Sequence, residues 1–300
     1  MKVAIAGLGL IGGSFYKAFI AAGVDVAGFD RDDPVDVVDA DVVIVALHPR
    51  TTVEWIAAHS PEFKDGAIVV DTCGVKRFVM DRVVPVAAGA KWIFVGGHPM
   101  AGKETYGFRN SDATLFRNAT MLLIPPEGTP EQALETLDGL FRLVGFKRTM
   151  VTGAAEHDTE IAYTSQLCHI ISSAYLRDPL ALGFDGFSAG SFRDMIRVGA
   201  PEPKLWSELF EENKEALLPV LDRMIGRMAA LRDAISAGDR DSVMSQLAEG
   251  KPIKEKINAG AGGNSGKPMK GTKDWRSARR SLVARQQQQR GANDEWVVPE

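Results

Sequence analysis

The spacing of apolar and polar residues changes near residue 152. Before that point, short apolar runs alternate with amphipathic stretches. The runs at 2–6, 24–29, 41–47, 67–71, 92–96, 120–124 and 146–151 read as strands. The run DVVIVAL at 41–47 is apolar after its first residue, as expected of a strand covered on both faces. Stretches at 11–22, 50–59, 75–87 and 130–143 carry helical spacing, with Pro130 suited to a first turn and Pro85 placed to bend its helix. This alternation predicts a mostly parallel sheet with helices on both faces.

After residue 152 helical periodicity takes over, in segments 156–176, 188–198, 204–236 and 239–257. The expected layout is α/β followed by all-α. Residues 1–152 form a dinucleotide-binding domain and 153–257 a helical domain for substrate and dimerisation. Residues 258–300 are rich in Gly, Asn, Lys and Ser, with a QQQQ run, and read as a flexible, weakly basic tail. Within it, 275–289 has some helical pattern.

Composition narrows the function little. An apolar fraction of 45% and a charged fraction of 25% are ordinary for a globular protein. A net charge of −4 gives no basic field for nucleic acid or an anionic membrane. Two cysteines, Cys73 and Cys168, suggest no disulfide framework and fit a reducing cytoplasm. Neither sits in zinc-ligand spacing, so no metal is expected. No apolar run is long enough to span a membrane. The apolar N-terminus superficially resembles a signal peptide, but Gly7, Gly9, Gly12 and Gly13 divide it into strand, turn and helix.

That turn carries the first chemistry. Gly7-Leu8-Gly9-Leu10-Ile11-Gly12 is GxGxxG between a strand and a helix. The first glycine permits the tight turn, the second admits a pyrophosphate, and the third lets helix and strand pack closely. The helix N-terminus adds free N–H groups and a positive dipole end. Asp30 follows the second strand, where a carboxylate can bind ribose hydroxyls and repel a 2′-phosphate. NAD is therefore favoured over NADP, although Arg31 stands next door. Leu47 and Gly74, after later strands, complete the expected cofactor set. Only about ten residues join Asp30 to the strand at 41–47, too few for a helix and a further strand. The sheet should stop at its second strand, leaving the adenine side open.

Three later segments hold polar groups that a plain core would not need. In Val95-Gly-Gly-His98-Pro-Met-Ala-Gly102-Lys-Glu104 a histidine follows a strand end, where open α/β sheets bind ligands. The segments His157-Asp158 and Ser165-Gln166-Leu167-Cys168-His169 share one helical pattern. Ser191-Phe-Arg193-Asp194-Met-Ile-Arg197 follows, then Trp206. Each has a bland reading, such as a structural histidine or a surface ion-pair face. Cys168 and His169 are adjacent on a helix and point about 100° apart, so they do not form a nucleophile–base pair.

In this order, GLGLIGGS, DTCGVK, GGHPMAGKE, EHD…SQLCH and FRDMIRVG resemble the prephenate dehydrogenase family over residues 1–257. The resemblance implies a Rossmann-type sheet, here shortened after its second strand, with a helical domain, and a homodimer built through the helices. It implies oxidative decarboxylation of prephenate to 4-hydroxyphenylpyruvate in tyrosine biosynthesis. His98 matches the histidine that takes the hydroxyl proton, a role suited to an imidazole near its ordinary pKa. Arg197 matches the clamp on a substrate carboxylate. His169 and Trp206 match residues beside the substrate, and Glu104 a gate. Gln166, on the same helix face as His169, is neutral and favours prephenate over arogenate, whose ammonium would profit from a carboxylate.

The chain departs from the common pattern at Gly74, where many members carry serine, at Cys168, where a proline is frequent, and in the short segment after Asp30. An arogenate dehydrogenase and a non-catalytic NAD-binding sensor are the competing readings. A β-hydroxyacid dehydrogenase-like enzyme would use a helical lysine, and 156–176 contains none.

Overall fold

The computed structural model describes residues 1–31, 33–183 and 185–259. The tail, including the 275–289 pattern, lies outside the described residues apart from its first two positions. The alternating half gives strands β1 (Lys2–Ala6), β2 (Asp25–Phe29), β3 (Val42–Val45), β4 (Ile68–Asp71), β5 (Ile93–Pro99), β6 (Thr120–Ile124) and β7 (Arg148–Val151). Helices α1 (Leu10–Ala21), α2 (Pro49–His59), α3 (Arg77–Ala88) and α4 (Glu131–Leu143) run between them. The strands form one sheet in the order β2-β1-β3-β4-β5-β6-β7. Neighbours are parallel except β5 and β6.

Strand periodicity explains the layers. Val3, Ile5, Val42, Ile44, Ile68 and Val70 point to one face, against Phe15 and Phe19 of α1 and Leu137 and Phe141 of α4. The alternate residues Ala4, Ala6, Val43, Val45 and Val69 point to the other, against Ile56 of α2 and Val79 and Val83 of α3. These strand residues thus alternate between two apolar layers, and a one-residue slip would exchange them.

Among the described residues no strand lies beyond β2, as the short connection requires. That connection covers the second layer: Val37 and Ala40 are fully buried in the cluster that holds Phe29 and Val43. β5 is longer than its apolar run suggests. It continues through His98 to Pro99 because its last residues pair antiparallel with β6, His98 opposite Leu122. Its parallel pairing with β4 ends at Val95 opposite Val70, so His98 still projects past that neighbour.

The helical half contains α5 (Ala154–Ile161), α6 (Leu167–Leu176), α7 (Gly190–Ile196), α8 (Pro203–Glu212), α9 (Lys214–Ser236) and α10 (Arg240–Asn258). Residues Ala162–Gln166 form a wider π-helical turn joining α5 to α6. The single helix expected over 204–236 is two. Asn213 interrupts it with φ −117° and ψ 15°, and its buried amide donates to Asp158 O at 3.0 Å and Gln166 Oε1 at 2.7 Å. Those tertiary bonds outweigh continuous helical spacing.

The outer helices carry unpartnered apolar side chains. Ile225, Met228 and Ile235 of α9 and Met244, Leu247 and Ile253 of α10 are all exposed. No helix among the described residues is long and apolar enough to cross a membrane.

Candidate active site

The glycine loop has the geometry of a phosphate cradle. Gly7 holds a φ of +88°, which L side chains rarely adopt, and its N–H donates to Phe29 O at 2.8 Å. A Cβ on Gly12 would lie 1.9 Å from Gly7 O, so only glycine allows α1 to seat this close to the turn. A Cβ on Gly9 would meet nothing within 4 Å: this face of the loop is open. α1 starts at Leu10, with Ile11 next. It has no side-chain cap and no acidic residue in its first turn, so its N-terminal N–H groups remain available to an anion. Leu8 lies over Gly28 and Leu47 under Gly7, giving the loop apolar walls. Asp30 is exposed just past β2, with Oδ1 accepting the Arg31 N–H at 2.9 Å. The residues present fit a dinucleotide at this end of the sheet.

The second element is a line of three side chains. His98 Nδ1 lies 2.8 Å from His157 Nε2, and His157 Nδ1 lies 2.7 Å from Asp158 Oδ1. Asp158 in turn accepts the Lys76 N–H at 2.7 Å and the Arg77 N–H at 2.8 Å, so it also caps α3. His157 and Asp158 are 2% and 1% exposed. Burial pushes the His98 imidazole well below its ordinary pKa, helped by His157 and the Lys76 charge. That corrects the expectation of a near-ordinary value. Burial also lowers His157, against the opposing pull of Asp158.

A buried ion pair supports this line. Lys76 Nζ donates to Asp71 Oδ2 and, at 2.7 Å, to Gly97 O; both side chains are fully buried. Asp71 also accepts the N–H groups of Cys73 and Gly97. The pair thereby ties the loop after β4, with Gly74 in it, to the backbone beside His98. A Cβ on Gly74 would stand 3.9 Å from His98 Nε2 and 3.4 Å from Leu209 of α8.

The third element is more open. Arg197, just after α7, pairs through Nη1 with Glu104 Oε1, and the two side chains are 64% and 49% exposed. Glu104 is held below the usual carboxylate range by its own backbone N–H first and by Arg197 second. His169 on α6 donates from Nδ1 to Val198 O at 3.0 Å. Its ring packs on Trp206 of α8 at 3.6 Å between centroids. Desolvation chiefly lowers its pKa too.

Gln166 is not brought into this open set. It is buried, donates to Leu209 O at 3.0 Å and accepts from Asn213 at 2.7 Å, so its amide is engaged at both ends inside the chain. The sequence shows the His157-Asp158 dipeptide without giving it a place, and does not by itself single out Asp71 and Lys76. The available signal is a carboxylate ending an apolar strand, with a lysine five residues on, ahead of a helix.

A dinucleotide cradle and a half-buried imidazole past the strand ends of the same sheet define a dehydrogenase of the nicotinamide-dependent kind. Comparison with known proteins narrows the class. Residues 14–150 match the nucleotide-binding domain of prephenate dehydrogenase, and residues 153–249 match its dimerization domain. A cyclohexadienyl dehydrogenase from Zymomonas mobilis is 34% identical over 276 residues, spanning 82% of this chain and 92% of the relative. The chain belongs to the prephenate dehydrogenase family.

Two solved structures share the fold. Synechocystis arogenate dehydrogenase has a TM-score of 0.71 at 24% identity, over 86% of this chain and 100% of its own. Prephenate dehydrogenase from A. aeolicus, in complex with hydroxyphenyl propionate and NAD+, also has a TM-score of 0.71 at 24% identity. That match covers 86% of this chain and 98% of the other.

Proposed function

We propose that the chain catalyses the NAD-dependent oxidative decarboxylation of prephenate to 4-hydroxyphenylpyruvate in tyrosine biosynthesis, acting in the cytoplasm as a homodimer. The observation that carries the reading is His98: an imidazole past the end of β4, kept neutral by burial, with Nε2 beside the small Gly74 position. When bound in the glycine cradle, NAD supplies the hydride acceptor. The loop Gly7 to Gly12, with Leu8, Leu10 and Ile11, holds the pyrophosphate. Asp30 takes the ribose hydroxyls, and Leu47 and Gly74 border the path toward the nicotinamide end.

The chain's own groups divide the remaining work. His98 Nε2 takes the proton of the ring hydroxyl as the carbinol C–H bond yields its hydride. The C–C bond to the ring carboxylate then breaks, carbon dioxide leaves, and the electron pair enters the ring, which becomes aromatic. Arg197 releases Glu104 to clamp a substrate carboxylate with its planar fork. His169 and Trp206 form a wall beside it, and Glu104 gates the mouth. The exposed apolar residues of α9 and α10, in the part of the chain matching the dimerization domain, support assembly through the helices.

Arogenate is the second reading, and Glu104 favours it: a carboxylate next to the clamp could meet the ammonium that replaces the keto group. Gln166 no longer argues either way, since its amide is used inside the chain. The test is reduced nicotinamide formation, followed by absorbance, with prephenate and arogenate compared at equal NAD. A higher kcat/KM for prephenate is expected. A higher value for arogenate would replace the first reading with the second, and no turnover of either would remove both.

A further inference from the structure

The line from Asp158 to His98 dictates where protons sit. An ionised carboxylate only accepts hydrogen bonds. Asp158 takes two backbone N–H groups and, at 2.7 Å, the ring of His157, so His157 must carry its proton on Nδ1. A neutral His157 then has a bare Nε2. That atom is 2.8 Å from His98 Nδ1, which must be the donor. His98 is left with its lone pair on Nε2, the nitrogen beside Gly74. Charged groups near the line include Lys76 and Asp71, which pair with each other, and Arg77, whose guanidinium pairs with Glu215. From α8 the nearby residue is the apolar Leu209.

We infer that His157 and Asp158 are positioning residues that lock His98 in the Nδ1–H tautomer. The inference rests on the proposed oxidative decarboxylation and adds the reason for the line. Proton balance shows why a lock is useful. The hydroxyl proton moves to His98 Nε2, the hydride moves to NAD, and the carboxylate leaves as carbon dioxide. The electron pair left in the ring makes a phenolate, which takes the same proton back. No proton is released overall. His98 Nε2 must therefore act first as acceptor and then as donor, while Nδ1–H stays in place on His157.

Substitutions separate tautomer control from simple support. In Asp158→Asn, an amide turned with its NH2 toward His157 donates to His157 Nδ1 and keeps the Arg77 N–H on its oxygen, giving up the Lys76 N–H that shares Oδ1 with His157. The line then reverses: His157 Nε2–H donates to His98 Nδ1, and His98 carries its proton on Nε2. Its kcat should fall by about 10² or more, with the substrate KM within about threefold, because the wrong tautomer cannot accept the proton. His157→Gln offers an oxygen to His98 Nδ1–H and should retain more kcat than His157→Leu, which offers none.

The direct readout is the nitrogen-15 ring spectrum of the labelled full chain, with His98 assigned by its loss in His98→Asn. Wild type should show His98 protonated on Nδ1 and bare on Nε2 at neutral pH. An Nε2–H tautomer in wild type would overturn the inference whether or not Asp158→Asn folds. So would an active enzyme in which His157→Leu keeps the kcat of His157→Gln. Failure of the wild type to oxidise either substrate would remove the functional reading instead, leaving the tautomer to be decided by the spectrum.

Discussion

Two parts of the site are built in opposite ways. His157 and Asp158 are almost wholly buried, and both carboxylate oxygens, both nitrogens of His157 and Nδ1 of His98 have partners fixed by the fold. Arg197 and Glu104 stand largely in solvent and hold each other. An exposed ion pair gains little net energy, about 0–1 kcal/mol, because water and salt compete for both partners. Its cheapness suits a clamp that must exchange one carboxylate for another. The buried line cannot be rearranged so cheaply, and that suits a group whose protonation state must be set before substrate arrives. In the proposed enzyme, chemistry is preorganised and binding is adaptable.

Substitutions at the two ends should therefore fail differently. The largest effect is expected for His98→Asn, with kcat down by about 10² or more and KM changed much less. Steady-state kinetics that show mainly a KM change would break the division. Next comes Arg197→Ala, expected to raise the substrate KM about tenfold or more while kcat falls less, through loss of a charge-assisted clamp. An unchanged KM would remove Arg197 from the clamp. A smaller effect is expected at Asp30. Asp30→Ala should weaken NAD severalfold and narrow its advantage over NADP, as a lost hydrogen bond of about 1 kcal/mol implies. Titrations of both cofactors would check this, and undiminished discrimination would contradict the role. Smallest is Glu104→Gln, which weakens the pairing with Arg197. The substrate KM should shift by no more than about threefold, the scale of an exposed pair. A tenfold shift would show the open side to be as rigidly preset as the buried one.

The same contrast explains what the sequence could reveal. Period-two alternation makes the sheet legible, since the apolar strand residues alternate between two layers. The short connection after Asp30 announces the missing outer strand by length alone. His98 is visible because glycines surround it at an apolar run's end, although its antiparallel pairing with Leu122 is not. The line behind it is hidden: its partners come from helices far along the chain, and polar residues on an amphipathic helix ordinarily signal solvent. Asn213 misleads for the same reason, looking like one more exposed position inside a long helix while it turns inward to Asp158 and Gln166. Spacing places Gln166 near His169 and so suggests a substrate-facing amide. Its buried hydrogen bonds can only be read in three dimensions.

The most direct test of the preorganised side is the pH dependence of kcat/KM for prephenate, from about pH 5 to pH 8. The working form of His98 is neutral. Burial, His157 and Lys76 all push its pKa down, so protonation should remove activity only in the acidic part of that range. His169 is lowered as well and moves no limb upward. The account predicts a level profile through and above the ordinary histidine pKa of about 6.5, falling only well below it. An acid limb centred at or above that value, and abolished in the residual activity of His98→Asn, would contradict a half-buried, neutral proton acceptor.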